Sequence, residues 1–374
     1  MSIRSDALDL LNGNPGARVP WFGDLSYYYA SLERQGTLEK KHQGPEGEKR
    51  FYGDFGVGIY LYTPDVFTTS FTEKVRCSES RTPDRITVSY DTPLGSIESV
   101  QDYVPGMYCY AYQKHFVETI EDLRVMRCVH ENTRYSENYQ QYISRDRLWG
   151  EDGIGFAMAV ASTAPLQKLL SRWAGVETTV MLCQDHPGEV AETFAAIEAG
   201  QDELVEVLAA SPAEVVILPE NLASQVVGER FFRQFNMPYY TRIVRRLHAA
   251  GKKVAIHIDG GLKPCLGLLS DCGFDIADAV TPAPFGDIAV EDLRRAAGPD
   301  IVIWGGLPGG LFSRNYSDEY FEEYVLNVLR NADGRFVLGV ADQVPPDAAP
   351  RRIGRVRELV EANPRKEAAS LGKA

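Results

Sequence analysis

The sequence predicts an α/β fold: a (β/α)8 TIM barrel with an inserted β-hairpin segment near the N-terminus. Two observations carry this. From Gly175 onward, short apolar runs alternate with amphipathic stretches, the rhythm of parallel strands joined by helices. No Gly-x-Gly-x-x-Gly follows a strand and opens a helix, which argues against an open doubly wound sheet. A chain of 374 residues is long enough for one such barrel domain, 1–374.

Arg18–Phe22 is the first strand candidate. Tyr52–Tyr62 and Ile86–Val104 are rich in Tyr, Val, Thr and Ile, and are interrupted by Thr82-Pro83-Asp84 and Thr92-Pro93-Leu94-Gly95. They read as antiparallel hairpins, giving a β-rich insertion at about 50–105. Residues 115–150 are charged and read as helical, with Tyr135, Tyr139 and Tyr142 on one face. Ile154–Val160 is the next parallel-strand candidate, followed by Glu214–Leu218, Val254–His257, Asp275–Ala279, Ile301–Trp304 and Phe336–Val340. Helices are expected at Pro187–Leu208, Phe231–Ala250, Val290–Ala297 and Ser317–Leu329. Gly251 supplies a stop for the second, and Ser317 with Asp318 and Glu319 an N-cap for the last. The tail, about 364–374, is polar.

Composition is that of an ordinary globular protein, with 44% hydrophobic and 24% charged residues. The net charge of −13 disfavours nucleic acid and anionic membranes as partners. Six cysteines without a CxxC pair do not form a disulfide framework or a zinc knuckle. The N-terminus lacks an apolar signal segment, and no run is long enough to span a membrane, so the expected location is cytoplasmic.

The chemistry-bearing stretch is Val254-Ala-Ile-His-Ile-Asp-Gly-Gly-Leu262. Strand alternation points His257 and Asp259 to one side, and Gly260 and Gly261 let the backbone turn away. Either His257 is a satisfied core histidine with Asp259 as a cap, or the pair belongs to a site. Five strand ends carry polar groups that a barrel would aim at one mouth: Pro219-Glu220-Asn221, His257-Ile-Asp259, Pro282 to Asp287, Trp304 to Gly309, and Gly339 to Asp342. Asp287 and Asp342 also read as helix caps. Trp21, Tyr27, Tyr28 and Tyr60 read either as the roof of a pocket or as core. No phosphate loop, nucleophile elbow or His-Glu-x-x-His zinc helix occurs.

These residues resemble the uroporphyrinogen decarboxylase superfamily. The likeness is spread over Arg18-Val-Pro-Trp21, Tyr90 to Gly95, Pro219-Glu-Asn-Leu222, His257-Ile-Asp-Gly260, Gly-Phe-Asp275 and Ile303-Trp-Gly-Gly306. It implies a (β/α)8 barrel and one of two chemistries, cofactor-free decarboxylation of a porphyrinogen or methyl transfer with a corrinoid. The decarboxylases resemble one another in an Arg-Gln-Ala-Gly-Arg stretch, where this chain has Trp21-Phe-Gly-Asp-Leu-Ser-Tyr-Tyr28. Uroporphyrinogen, with eight carboxylates, is therefore not the expected substrate. The thiol-acting methyltransferase branch holds zinc on a His-x-Cys pair and a later Cys. This chain keeps His257 but has Asp259 in the first Cys slot and Gly339-Val-Ala in the late one. The ether-demethylating branch is similar to a two-carboxylate-plus-His arrangement, whose carboxylate slots fall here at Asn221 and Asn236.

By this likeness the expected function is methyl transfer between a small O- or N-methylated substrate and a corrinoid carried by a partner protein. Catalytic candidates are His257, Asp259 and Glu220, which together are also the candidate zinc ligands. Substrate-binding candidates are Trp21, Tyr27, Tyr28, Tyr60, Asn221, Asp287, Trp304 and Asp342. The alternatives are a decarboxylase or lyase acting on a small carboxylic acid with no cofactor, and a non-catalytic ligand-binding barrel. The partners expected are a small-molecule substrate, the corrinoid protein and a second copy of the chain in a homodimer.

Overall fold

The computed structural model describes residues 2–61 and 63–365; Tyr62 and nearly all of the polar tail lie outside the described residues. Seven parallel strands form one curled sheet: β1 (Trp21–Phe22), β2 (Phe156–Met158), β3 (Val215–Leu222), β4 (Lys253–Ile258), β5 (Ile276–Val280), β6 (Val302–Pro308) and β7 (Phe336–Ala341). Their order is β1-β7-β6-β5-β4-β3-β2, so each strand from β2 to β7 lies beside its successor in the chain. The eighth position is taken by residues 57–60, which make only isolated bridges. Gly58 N donates to Trp21 O at 3.1 Å, Ile59 N to Asp152 O at 3.1 Å, and Phe156 N to Tyr60 O at 3.1 Å. Both edges of the sheet are therefore bonded to this segment, leaving neither as an open template for pairing. A Cβ at Gly58 would stand 2.6 Å from the Phe22 ring, so glycine is what lets the segment lie against β1.

Alternation sorts the strand residues. Val215, Ile217, Ala255, Ile276, Val302, Trp304 and Val337 share an inner cluster with Phe22, Tyr60 and Phe156. Val216, Leu218, Val254, Ile256, Ala277 and Leu338 belong to the larger cluster with the surrounding helices. The helices that cover the sheet include Pro187–Ala210, Met237–Ala249, Asp318–Asn331 and Pro350–Ala362. Ser317 caps the third of these, accepting from Tyr320 N at 3.2 Å.

The N-terminal part departs from the sequence expectation. Residues 44–55 form a helix, with Pro45 in its first turn and Gly56 in the left-handed conformation at its end, so the start of the hairpin segment expected at Tyr52–Tyr62 is helical. Phe51, Tyr52 and Phe55 lie on its packed side, so helical packing wins over the β-propensity of the aromatics. Antiparallel strands begin at Phe67: Phe67–Phe71 pairs with Thr133–Glu137, and a four-stranded meander runs Arg76–Arg81, Arg85–Thr92, Gly95–Val104 and Cys109–Lys114. Tyr135 is therefore on a strand, apart from the helix Tyr139–Trp149 that carries Tyr139 and Tyr142. Phe231–Ala250 is also less regular than expected, because a π turn at Phe232–Asn236 separates Ser224–Phe231 from Met237–Ala249. All six cysteines are unpaired. Among the described residues no helix is long and apolar enough to cross a membrane.

Candidate active site

His257, Asp278 and Trp304 stand side by side on β4, β5 and β6, in register and facing the interior of the curled sheet. Two residues earlier on each strand come Ala255, Ile276 and Val302, so the layer below them is apolar. His257 Nδ1 lies 2.8 Å from Asp278 Oδ2. The other oxygen of Asp278, which is fully buried, accepts from the Tyr60 hydroxyl at 3.1 Å. On the opposite side of the imidazole, Nε2 faces Asp342 Oδ1 at 3.5 Å, too long for a well-formed hydrogen bond.

Strand ends add further acids. Asp24 follows β1, Asp259 follows β4 and Asp342 follows β7. Asp24 accepts from Ser26 N and from Gln343 Nε2, which holds the β1 and β7 ends together. Burial alone would pull the His257 imidazolium down, but the hydrogen bond and charge of Asp278, with Asp342 and Asp259, raise it to about 9. His257 is thus charged at neutral pH, with Nδ1–H donated to Asp278. Loss of surrounding water pushes the Asp342 carboxyl up to about 6, and Asp24, Asp259 and Asp278 add to this against the pull of His257. Burial and the charge of Asp278 drive the Tyr60 phenol well up, so it stays a donor. The arrangement is a chain, Tyr60 to Asp278 to His257 to Asp342, that holds one proton on Nε2 toward the strand ends.

The structure brings His257, Asp259, Tyr60, Trp304 and Asp342 toward one interior, but not all the residues expected there. Glu220 needs correction. It shares the helix-facing side of β3 with Val216 and Leu218, is fully buried, and accepts from Ala164 N at 3.0 Å. The Tyr240 hydroxyl also donates to it, and Tyr240 in turn accepts from Asn236 Nδ2 at 3.0 Å. Burial raises Glu220 to about 7 and lowers nearby Lys168 to about 7. The expected zinc set of His257, Asp259 and Glu220 therefore does not fit. Among the described residues, no three His, Cys, Asp or Glu side chains are placed to hold a metal ion. Glu220→Ala is expected to cost about 2–4 kcal/mol of stability, by leaving buried donors without an acceptor. Chemical denaturation would measure this, and the pH dependence set by His257 should stay unchanged.

Trp21 is also displaced from its expected place. Phe22, not Trp21, belongs to the inner cluster, because adjacent strand residues face opposite ways. Tyr28 packs against Phe51 with ring centroids 6.1 Å apart, and the Tyr27 hydroxyl is donated to Met107 O. Asp287 accepts from Leu262 N and Lys263 N and ties two loops together. Asn221 is exposed at the end of β3 with φ 47°. The sequence reading missed Asp278 and Asp24. A lone acid in the apolar run Ile276–Val280, two residues from inward-facing Ile276, was the available signal for Asp278.

A family model described as Uroporphyrinogen decarboxylase (URO-D) matches residues 147–363. Among solved structures, the chain is similar to a methyltransferase from Methanosarcina mazei, at 12% identity and a TM-score of 0.61, covering 97% of this chain and 99% of that one. It is also similar to a Listeria monocytogenes protein described as a candidate vitamin-B12 independent methionine synthase, at 11% identity and a TM-score of 0.43, covering 92% and 97%. No curated protein matches the sequence.

Proposed function

Because the chain belongs to the uroporphyrinogen decarboxylase family, we propose that it is an enzyme that moves a methyl group from a small O- or N-methylated substrate to a corrinoid carried by a partner protein. His257 is the acid in this reading, and Asp342 and Asp259 face the substrate. The observation that supports it best is the charged imidazole, fixed by buried Asp278 and backed by Tyr60. When the bond from the methyl carbon to oxygen or nitrogen breaks, the electron pair stays on the heteroatom, which needs a proton. His257 Nε2 supplies it while the methyl group passes to the acceptor. A well-placed general acid contributes about 10²–10⁴-fold to rate. The fold shared with the Methanosarcina methyltransferase is consistent with this reading.

The acids weigh against a carboxylate substrate at the same place. Asp24, Asp259 and Asp278 all add to the negative field at Asp342, against the pull of His257. A neutral ether or an alkylated amine meets no such repulsion. The test is to incubate the full chain with reduced cob(I)alamin and a panel of small methyl ethers and methylamines, following methylcobalamin by its absorption spectrum. Methylation from at least one donor is expected. Release of carbon dioxide from a small-acid panel, with no methylation, would establish the decarboxylase instead. Ligand binding with neither reaction would establish a binding protein.

A further inference from the structure

A second cavity, of about 260 Å³, lies between the turn Lys168–Trp173 and the antiparallel strands that carry Phe71, Tyr90 and Tyr135. It shares no lining residue with the group around His257. Two basic side chains line it, Lys168 and Arg172, and neither forms an ion pair among the described residues; burial brings Lys168 down to about 7, which leaves Arg172 as the firm cation. Lys168 is 4% exposed and donates to Ala161 O at 2.6 Å, but has no carboxylate within ion-pair distance among the described residues. Among the described residues, the half-buried Arg172 guanidinium makes no hydrogen bond or ion pair. Glu220 acts on both Lys168 and Arg172 from a distance, and is itself held by Ala164 and Tyr240. A buried cation without a partner is costly, and a carboxylate placed beside it removes that cost.

The rest of the wall mixes aromatic rings with aliphatic side chains, among them Met126, Val129 and Val160. The Trp173 ring carries the Lys168 ammonium at 5.4 Å on one contact and the His130 ring at 4.5 Å on another. Tyr90 and Phe71 lie edge to face, 5.6 Å apart. Exposed Asp65 and the Tyr135 hydroxyl add polar groups to the lining beside Thr69, Thr133 and His130, and neither Asp65 nor the Tyr135 hydroxyl has a hydrogen-bond partner among the described residues. A simple anion would meet repulsion from Asp65. A ligand that also offers a hydrogen-bond donor satisfies both signs of charge. The volume is below that of a drug-sized pocket, about 300–1,000 Å³, and suits a single ring.

From this combination we infer that the cavity is a second ligand site, taking a single-ring aromatic carboxylate that bears a hydrogen-bond donor. Arg172 and Lys168 hold the carboxylate, Trp173 and Tyr90 enclose the ring, and Asp65 accepts from the donor. The site does not depend on the proposed methyl transfer, because its test reads binding and not turnover.

The probe is 4-hydroxybenzoate, titrated into the full chain by calorimetry, with benzoate, benzamide and benzylamine as comparators. Saturable one-to-one binding is expected, weaker for benzoate and absent for benzylamine. Arg172→Ala should weaken it at least tenfold and Arg172→Lys should restore part of the loss. His257→Gln should leave it unchanged. Since Lys168→Met removes a buried group, Arg172→Ala, on a half-buried side chain, serves as the primary variant and circular dichroism checks the fold of each. Absence of saturable binding would overturn the inference, as would equal affinities for wild type and Arg172→Ala. Binding abolished by His257→Gln alone would place the ligand at the strand ends and overturn it equally.

Discussion

Replacing His257 by Gln is expected to lower methyl-transfer turnover by about 10²–10⁴-fold and to remove the high-pH limb of the activity profile. In the wild type that profile should be bell-shaped, rising near 6 as Asp342 ionises and falling near 9 as His257 loses its proton. The two limbs belong to the coupled cluster as a whole. Stability should follow in the same direction. The folded-state value of His257, about 9, lies above its ordinary 6.5. Its contribution is therefore complete below about 6.5 and is lost as pH rises through about 9, a change on the order of 3 kcal/mol. Asp342 acts with the same sign at lower pH, because its carboxyl is also raised. Denaturation midpoints at pH 6 and pH 9.5 check this: the drop should be large in wild type and clearly smaller in His257→Gln. Equal drops in the two proteins would show that the imidazole is not held charged.

Asp278→Asn is the second large effect. The amide keeps the shape of the carboxylate and can still accept from Nδ1–H, but the charge that holds the imidazolium is gone. An opposite charge at this range is worth about 1–3 pH units, so the falling limb should move down by that amount, toward the ordinary imidazole value. Activity near pH 8 should fall further than activity near pH 6.5, a split that a general loss of folding would not produce. Tyr60→Phe should move the limb less, because the phenol acts on His257 only through Asp278. A falling limb that stays near 9 in Asp278→Asn would remove Asp278 from the chain.

The parallel-strand half of the fold was legible because burial on both faces leaves compact apolar runs, and β3 to β7 lie within a few residues of where those runs place them. The helix at 44–55 was not. Its Phe51, Tyr52 and Phe55 suit a strand by type, and only their packing against neighbouring aromatics makes the segment helical. The site was half legible for a related reason. Position at a strand end is readable, yet the face on which a side chain lies depends on register, which changes between Ile256 and Ile258 of β4 against β3. Glu220 and His257 both sit near strand ends, and register sends one to the helices and the other to the interior. Trp21 and Phe22 are neighbours divided in the same way. Asp278 escaped notice because, although level with His257 and Trp304, it lies inside its own apolar run, while the polar residues of that unit were sought further on at Pro282 to Asp287.

The aromatic cluster of Phe22, Tyr60, Phe156 and Trp304 fills the interior that His257 faces, with Trp304 fully buried and its indole nitrogen donating to nothing among the described residues. With Nδ1 held by Asp278, the proton that His257 spends in the proposed reaction and the one that replaces it both pass through Nε2, beside Asp342.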